Sequence, residues 1–210
     1  MPVDVISTVM VAANSYDLTD LTTVKTELSI TGSTYDAQLG RYITVASLAA
    51  EQYCNRVFVV ETVQDRFDIT FPRLRFGGEE KLQTSRWPVT SMTSLTENGT
   101  TLVKDTDYKV DTSNGLLIRL DSNGDPTTWG QSPVIATYSA GFASIPADLE
   151  DAVIRMIRAR WFAKDRDPFT RQENIPGVRD IAYWVPTGAD AGNMTPDVED
   201  ILDNYRPPII

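Results

Sequence analysis

The chain has no histidine and a single cysteine, Cys54. The first absence excludes Ser-His-Asp and Cys-His catalysis and any zinc site that uses imidazole. The second excludes an internal disulfide and a thiolate metal cluster, and it fits a reducing compartment, so synthesis in a cytoplasm is expected. No Walker loop, G-x-G-x-x-G or G-x-S-x-G occurs. No stretch resembles a transmembrane span or a secretory leader: the opening MPVDVISTVMVAANSYD has no basic segment and sets Asp4 before a short apolar run. Positive charge is also scarce, with 19 Lys and Arg against 29 Asp and Glu, a formal net charge of -10. Acids are plentiful enough for paired-carboxylate hydrolysis, but no pair converging on a cleft can be named from the residues. An enzyme, a metal, a cofactor and a membrane partner are therefore not expected.

What is present is enough for a sizeable core: 210 residues, 41% of them hydrophobic, bound one or two small domains. Residues 17–56 read as a helical hairpin. In DLTDLTTVKTELSI, Thr19 is a candidate cap, Leu21, Val24 and Leu28 share a face, and Gly32 ends the helix. The chain restarts with Ser33 or Thr34 as cap and Asp36 in the first turn, followed by an apolar stripe of Leu39, Tyr42, Ile43, Ala46, Ala49, Ala50 and Tyr53. From about Val57 the period changes to two, with Phe67, Ile69 and Phe71 alternating with Arg66, Asp68 and Thr70. Asn98-Gly99 is a strong signal for a type I′ hairpin. DYKVD, GLLIRL and SPVIATYSAGF add strands, and Pro88 in RWPVTSM implies an edge or a bend. Helix resumes at Pro146, with Leu149, Val153, Met156 and Ile157 on one face, widened by Ile154 and Trp161. A last short helix is expected in DVEDILDNY.

The fold class is thus α+β: a helical hairpin and a long C-terminal helix packed as a small bundle, with an inserted antiparallel β-sheet or small barrel. The expected boundaries are 1–56 for the hairpin, 57–145 for the β insertion, 146–173 for the long helix, and 174–210 for an extended tail with a short helix.

In this acidic chain Arg155, Arg158, Arg160 and Lys164 gather on one helix. Its segment, 146–180, is balanced, with seven basic and seven acidic residues, whereas 181–210 has one basic and five acidic. Acids at the helix start and bases towards its end are the order that the macrodipole favours, so dipole complementarity with solvated faces is one reading of the pattern, and contact with an acidic partner, such as another copy of the chain, is the other. Arg160 lies on the side of Met156 and Ile157, so it is expected to snorkel from an apolar face or to meet a carboxylate. Specific DNA binding is disfavoured because the segment has no basic excess. Cys54 reads as a small buried hydrophobe. DSNGDP looks faintly like a calcium loop, but Gly124 comes too early and Ser132 stands where a bidentate Glu is needed, so a turn is expected.

In order along the chain, LTDLTTVKTELSI, YDAQLGRYITVASLAAEQYCNRVF, RWPVTSMTSLTENGTTL, DYKVD, VIATYSAGF, IPADLEDAVIRMIRARWF and DVEDILDNYRPP resemble the phage head–tail connector (adaptor, head-completion) family, in its longer members with a β insertion. The resemblance implies a structural virion protein at the neck of a phage particle, assembled in the host cytoplasm. It would form a ring, commonly of twelve copies, beneath the portal, extend the DNA channel without binding DNA specifically, and dock the next tail or stopper protein. A ring needs two different complementary patches on each subunit. The candidate subunit or portal contacts are Arg155, Arg158 and Arg160 on the helix and Ile201, Leu202, Tyr205 and Arg206 in the tail, with RPPII extended. The alternatives are a tail-completion or tail-terminator protein and a DNA-binding packaging accessory.

Overall fold

The computed structural model describes residues 4–69, 81–130, 132–164, 172–175, 179–182 and 194–207. Thr70, Phe71 and the end of RPPII, singled out in the sequence, lie outside the described residues. The chain divides into two compact units, one of residues 1–15 and 57–144 and one of residues 16–56 and 145–210.

The first unit is β. One antiparallel sheet contains β1 (Asp4–Val11), β2 (Glu61–Asp68), β9 (Val134–Ala140), β4 (Val89–Glu97) and β5 (Thr100–Thr101), in that spatial order. A second contains β3 (Lys81–Gln83), β7 (Leu116–Leu120) and β6 (Tyr108–Asp111), with β8 (Pro126–Thr127) beside β7. Leu82, Tyr108 and Leu117 of the second share one core with Val63, Phe67, Leu95, Ala136 and Tyr138 of the first. Among the described residues both sheets are open, so the expectation resolves to packed sheets and not to a closed barrel. The Asn98-Gly99 turn forms between β4 and β5 with both residues at positive φ, 46° and 79°, as type I′ requires. Gly141, φ +128°, lies so near the backbone of Val59 that a Cβ would collide with it.

Two features depart from expectation. Residues 4–11, for which no strand is predicted, pair along β2 from Asp4↔Asp68 to Val11↔Thr62, so residues 1–15 group with the β unit and not with the hairpin. Strand β1 is exposed at each position from Val5 to Val11. It contributes no side chain to the core, and that is why core patterning fails to announce it. On β2 the buried positions are Glu61, Val63, Asp65 and Phe67, so two acids occupy the face where apolar residues are the rule.

The second unit is helical: α1 (Leu21–Glu27), α2 (Asp36–Cys54), α3 (Ala147–Ala163) and α4 (Pro196–Asp203), with the strand pair β10 (Gln172–Ile175) and β11 (Arg179–Ala182). Asp20, and not Thr19, caps α1: its carboxylate accepts from the Thr23 amide at 2.8 Å. Thr19 is buried instead and its hydroxyl donates to Glu150 at 2.8 Å. The helix stops at Glu27, with Ser29 at φ 55°, before Gly32 is reached. Tyr35 is the N-cap residue of α2 with no side-chain bond, so neither Ser33 nor Thr34 caps it, whereas Asp36 stands in the first turn and pairs with Lys25 at 2.7 Å. Asn55, left-handed at φ 48°, ends α2. The α2 stripe buries Leu39, Tyr42, Ile43, Ala46, Ser47, Ala50 and Cys54, and α3 buries Leu149, Ala152, Val153, Ile154 and Ile157.

Candidate interaction surface

α3 has two halves with different employment. Its first turns hold the rest of the unit together. Glu150 takes the Thr19 hydroxyl, Asp148 takes the Tyr205 hydroxyl at 2.6 Å, and Arg155 donates to Asp151 and to Asp197 of α4, each at 2.8 Å. Those bonds to charged partners raise the Arg155 pKa, and the Thr195 hydroxyl followed by Arg155 holds Asp197 below its ordinary value.

α4 is latched at further points. Val198 and Leu202 are buried, the Cys54 thiol donates to the Leu202 carbonyl at 3.3 Å, and the Tyr53 hydroxyl donates to Asp203 at 2.9 Å. Arg56 donates to the Tyr205 carbonyl at 3.3 Å. Burial pushes the Cys54 thiol up to about 11 and the Arg56 guanidinium down to about 10. It is also the first cause, ahead of Asp148, that raises the Tyr205 phenol. A thiol so raised and enclosed is a packing group and not a nucleophile.

The seven candidate residues therefore separate. Arg155, Leu202 and Tyr205 are engaged within the chain, and Leu202 has no accessible surface. Ile201 is half-buried, and Arg206 is exposed, with its guanidinium 5.5 Å from the Tyr53 ring centre and 3.4 Å from Asp203. Arg158 and Arg160 are exposed on the last turns of α3. Among the described residues Arg160 meets no carboxylate; its guanidinium sits 4.7 Å above the Tyr42 ring, a cation–π contact.

One turn on, Tyr35 and Trp161 meet edge to face at 5.0 Å, and the Lys164 ammonium lies 4.5 Å from the first ring and 3.4 Å from the second. Phe162, 71% exposed, stands beside them. Arginine, tyrosine, tryptophan and a bare phenylalanine are the residue types enriched at protein interfaces. The Tyr35 and Tyr42 contacts escape a helix-by-helix reading because these rings come from α2, more than a hundred residues earlier.

The groups that suggest chemistry are occupied. Asp65 is fully buried and accepts from the Ser85 amide and hydroxyl, both at 2.7 Å, and from Tyr138 at 2.5 Å. Glu61 accepts from Arg86 at 3.3 Å. Burial, then Asp65, raises the Tyr138 phenol. This network ties the segment before β4 to the sheet. In DSNGDP the Asp121 carboxylate accepts from the Asn123 and Asp125 amides at 2.8 and 3.0 Å, and Gly124 takes φ +84°, the geometry of a turn. It borders an open groove of about 770 Å³ in which Glu97 is already paired with Arg119 at 3.0 Å. Among the described residues no three His, Cys, Asp or Glu side chains are grouped to hold a metal, and no helix is long and apolar enough to cross a membrane.

Residues 18–74 match the family model of the phage gp6-like head-tail connector protein. The chain resembles the phage head–tail connectors. That match covers α1, α2 and β2, less than half of the chain. Solved structures extend the likeness of fold to its whole length. A chain in the neck of an empty GTA particle computed with C6 symmetry is 18% identical, with 98% of this chain and 97% of that chain covered and a TM-score of 0.55. A chain in the neck of a native GTA particle computed with C12 symmetry is 17% identical over the same shares at 0.54, and one in the virion of a native gene transfer agent particle is 18% identical, again over 98% and 97%, at 0.54. At such identities the likeness concerns the fold alone. No curated protein matches significantly.

Proposed function

We propose that the chain is a structural connector of a phage-like particle: one copy of a ring in the neck, between portal and tail, that extends the DNA channel and receives the next tail or stopper protein. The observation that carries this reading is the connector-family match over residues 18–74, and the whole-length likeness to GTA neck and virion chains supports it. Twelve copies is the count we favour, in keeping with the C12 symmetry of one of those necks. Net charge of -10 per copy, repeated around a channel, gives a wall that repels phosphate, so DNA passes without a specific site.

In this reading the subunit or portal contact is the far half of α3: Arg158, Arg160 and Lys164 with Tyr35, Trp161 and Phe162. It is cationic and aromatic in a chain otherwise acidic, so it fits an acidic surface of a neighbouring copy or of the portal. Arg155, Leu202 and Tyr205 serve it indirectly by latching α4, while Ile201 and Arg206 form the outward part of that helix.

Electron microscopy of particles made with and without the chain tests the role. Density between portal and tail, present only with it, is expected. Filled heads with density at the portal unchanged but tails incomplete would make it a tail-completion protein instead. Charge reversal, Arg158→Glu with Arg160→Glu, is expected to abolish incorporation while leaving the free chain folded.

A further inference from the structure

Among the described residues nothing covers the outer edge of β1. It runs for eight residues, DVISTVMV, and among the described residues it pairs only with β2. Its outward side therefore offers a row of backbone donors and acceptors without partners in the sheet. Val5, Ile6, Val9, Met10 and Val11 are 40 to 62% exposed, so apolar groups flank that row on both faces of the strand. Edge strands are ordinarily protected by lysine, proline or a covering segment. From Val5 to Val11 there is no charge and no proline.

The opposite edge of the same sheet has the same character. β5 pairs with β4 only at Thr96↔Thr101 and Glu97↔Thr100. That leaves Thr90 to Ser94, TSMTS, as an exposed or half-exposed neutral stretch on the sheet's other flank. Bulges between Val89 and Ser91 and between Met92 and Ser94 increase its twist, so only a few residues can pair in regular register.

We infer that the edge of β1 is a strand-pairing site for a second copy of this chain, filled by the β4 edge of that copy. Charge selects this occupant. Two chains of net charge -10 repel over most of their surfaces, and besides the cationic end of α3, the two neutral edges, rich in β-branched residues, are places where copies approach without that penalty. Geometry agrees, because a closed ring joins unlike patches head to tail, and these edges lie on opposite flanks of one sheet. The contact is β-augmentation, in which main-chain hydrogen bonds supply affinity and alternate side chains supply fit. The inference rests on the ring reading above and assigns it a second contact, in the β unit.

The test uses the full chain, alone and with purified portal, with ring formation read by native mass spectrometry. Ile6→Lys with Met10→Lys is expected to reduce rings by about tenfold or more, with the unfolding midpoint unchanged because both sites are exposed. Adding Thr90→Glu and Thr93→Glu to that chain sets Lys against Glu at every junction and is expected to restore ring formation. Loss without restoration would overturn β4 as the occupant, and rings unaffected by the lysines would overturn the inference while leaving the ring reading in place. A wild-type chain that never forms rings, alone or on portal, fails the ring reading itself and this inference with it. Hydrogen exchange on wild-type rings is an independent check. The amides of residues 5–11 are expected to slow relative to the free chain, and unchanged exchange would overturn the proposal.

Discussion

The two units handle their charges in opposite ways. In the β unit, Asp65 has no accessible surface and Glu61 3%, yet the donors around them come from Ser85, Tyr138 and Arg86, within a few residues of one another in space. In the helical unit the comparable pairs lie open: Arg155 is 45% and Asp197 54% exposed. Burial decides what each is worth. A dry carboxylate with all its donors aligned is costly to disturb, because each abandoned donor stays out of water. A wet ion pair gives way to solvent at little cost. The β unit is thus fastened from inside by polar bonds. The helical unit is fastened mainly by apolar contacts, and apart from the half-buried Arg56 most of its charged groups stay at or near the surface.

Asp65→Ala should break this contrast most strongly. It leaves the Ser85 amide and hydroxyl and the Tyr138 hydroxyl without their acceptor, and a loss of about 4 kcal/mol is expected from three such groups. Urea unfolding followed by tryptophan fluorescence measures it, since Trp129 lies in the same core. Asp65→Asn, which keeps an acceptor, should lose clearly less. Equal losses would mean that shape, and not hydrogen bonding, is what the site provides.

Leu202→Ala comes next, at about 3 kcal/mol, the usual cost of emptying a fully buried leucine site. Its more specific signature is at Cys54, whose thiol bonds to the Leu202 carbonyl. Alkylation of Cys54 at pH 8 should be slow in the wild type, because burial holds the thiol up at about 11, and should accelerate once α4 loosens. The raised pKa also fixes a direction with pH. The unfolded chain ionises near 9 and the folded chain near 11, so the stabilising contribution is complete below 9 and is lost as pH rises between the two values.

Much of this architecture can be read from residue patterns. The α2 and α3 stripes, the Asn98-Gly99 turn and the short closing helix follow from period and turn chemistry, which are local. Three features do not. β1 buries nothing, so it carries none of the alternation that marks a strand. Glu61 and Asp65 sit on a core face that pattern reading reserves for apolar groups, and their donors come from Ser85, Arg86 and Tyr138, far along the chain. The cationic end of α3 is visible as composition. Its engagement with Tyr35 and Tyr42 and the internal use of Arg155, Leu202 and Tyr205 are tertiary facts, and they divide the candidate residues in a way no spacing along α3 or α4 reveals.

Arg155→Ala marks the small end of the comparison. Arg155 bridges Asp151 and Asp197 in solvent, so its removal should leave the unfolding midpoint within experimental error in moderate salt and lower it detectably only at low ionic strength. The pH dependence separates this latch from the buried ones. The Asp197 carboxyl titrates below its ordinary 3.8 when folded, so the contribution is present above that value and disappears as pH falls through the lower folded one. Because the Thr195 hydroxyl is the larger cause and remains in Arg155→Ala, the variant should still lose stability at that acid end, only slightly less than the wild type. A midpoint drop in moderate salt as large as that of Leu202→Ala would contradict the division, because it would make an exposed ion pair, and not apolar burial, the principal fastening of α4.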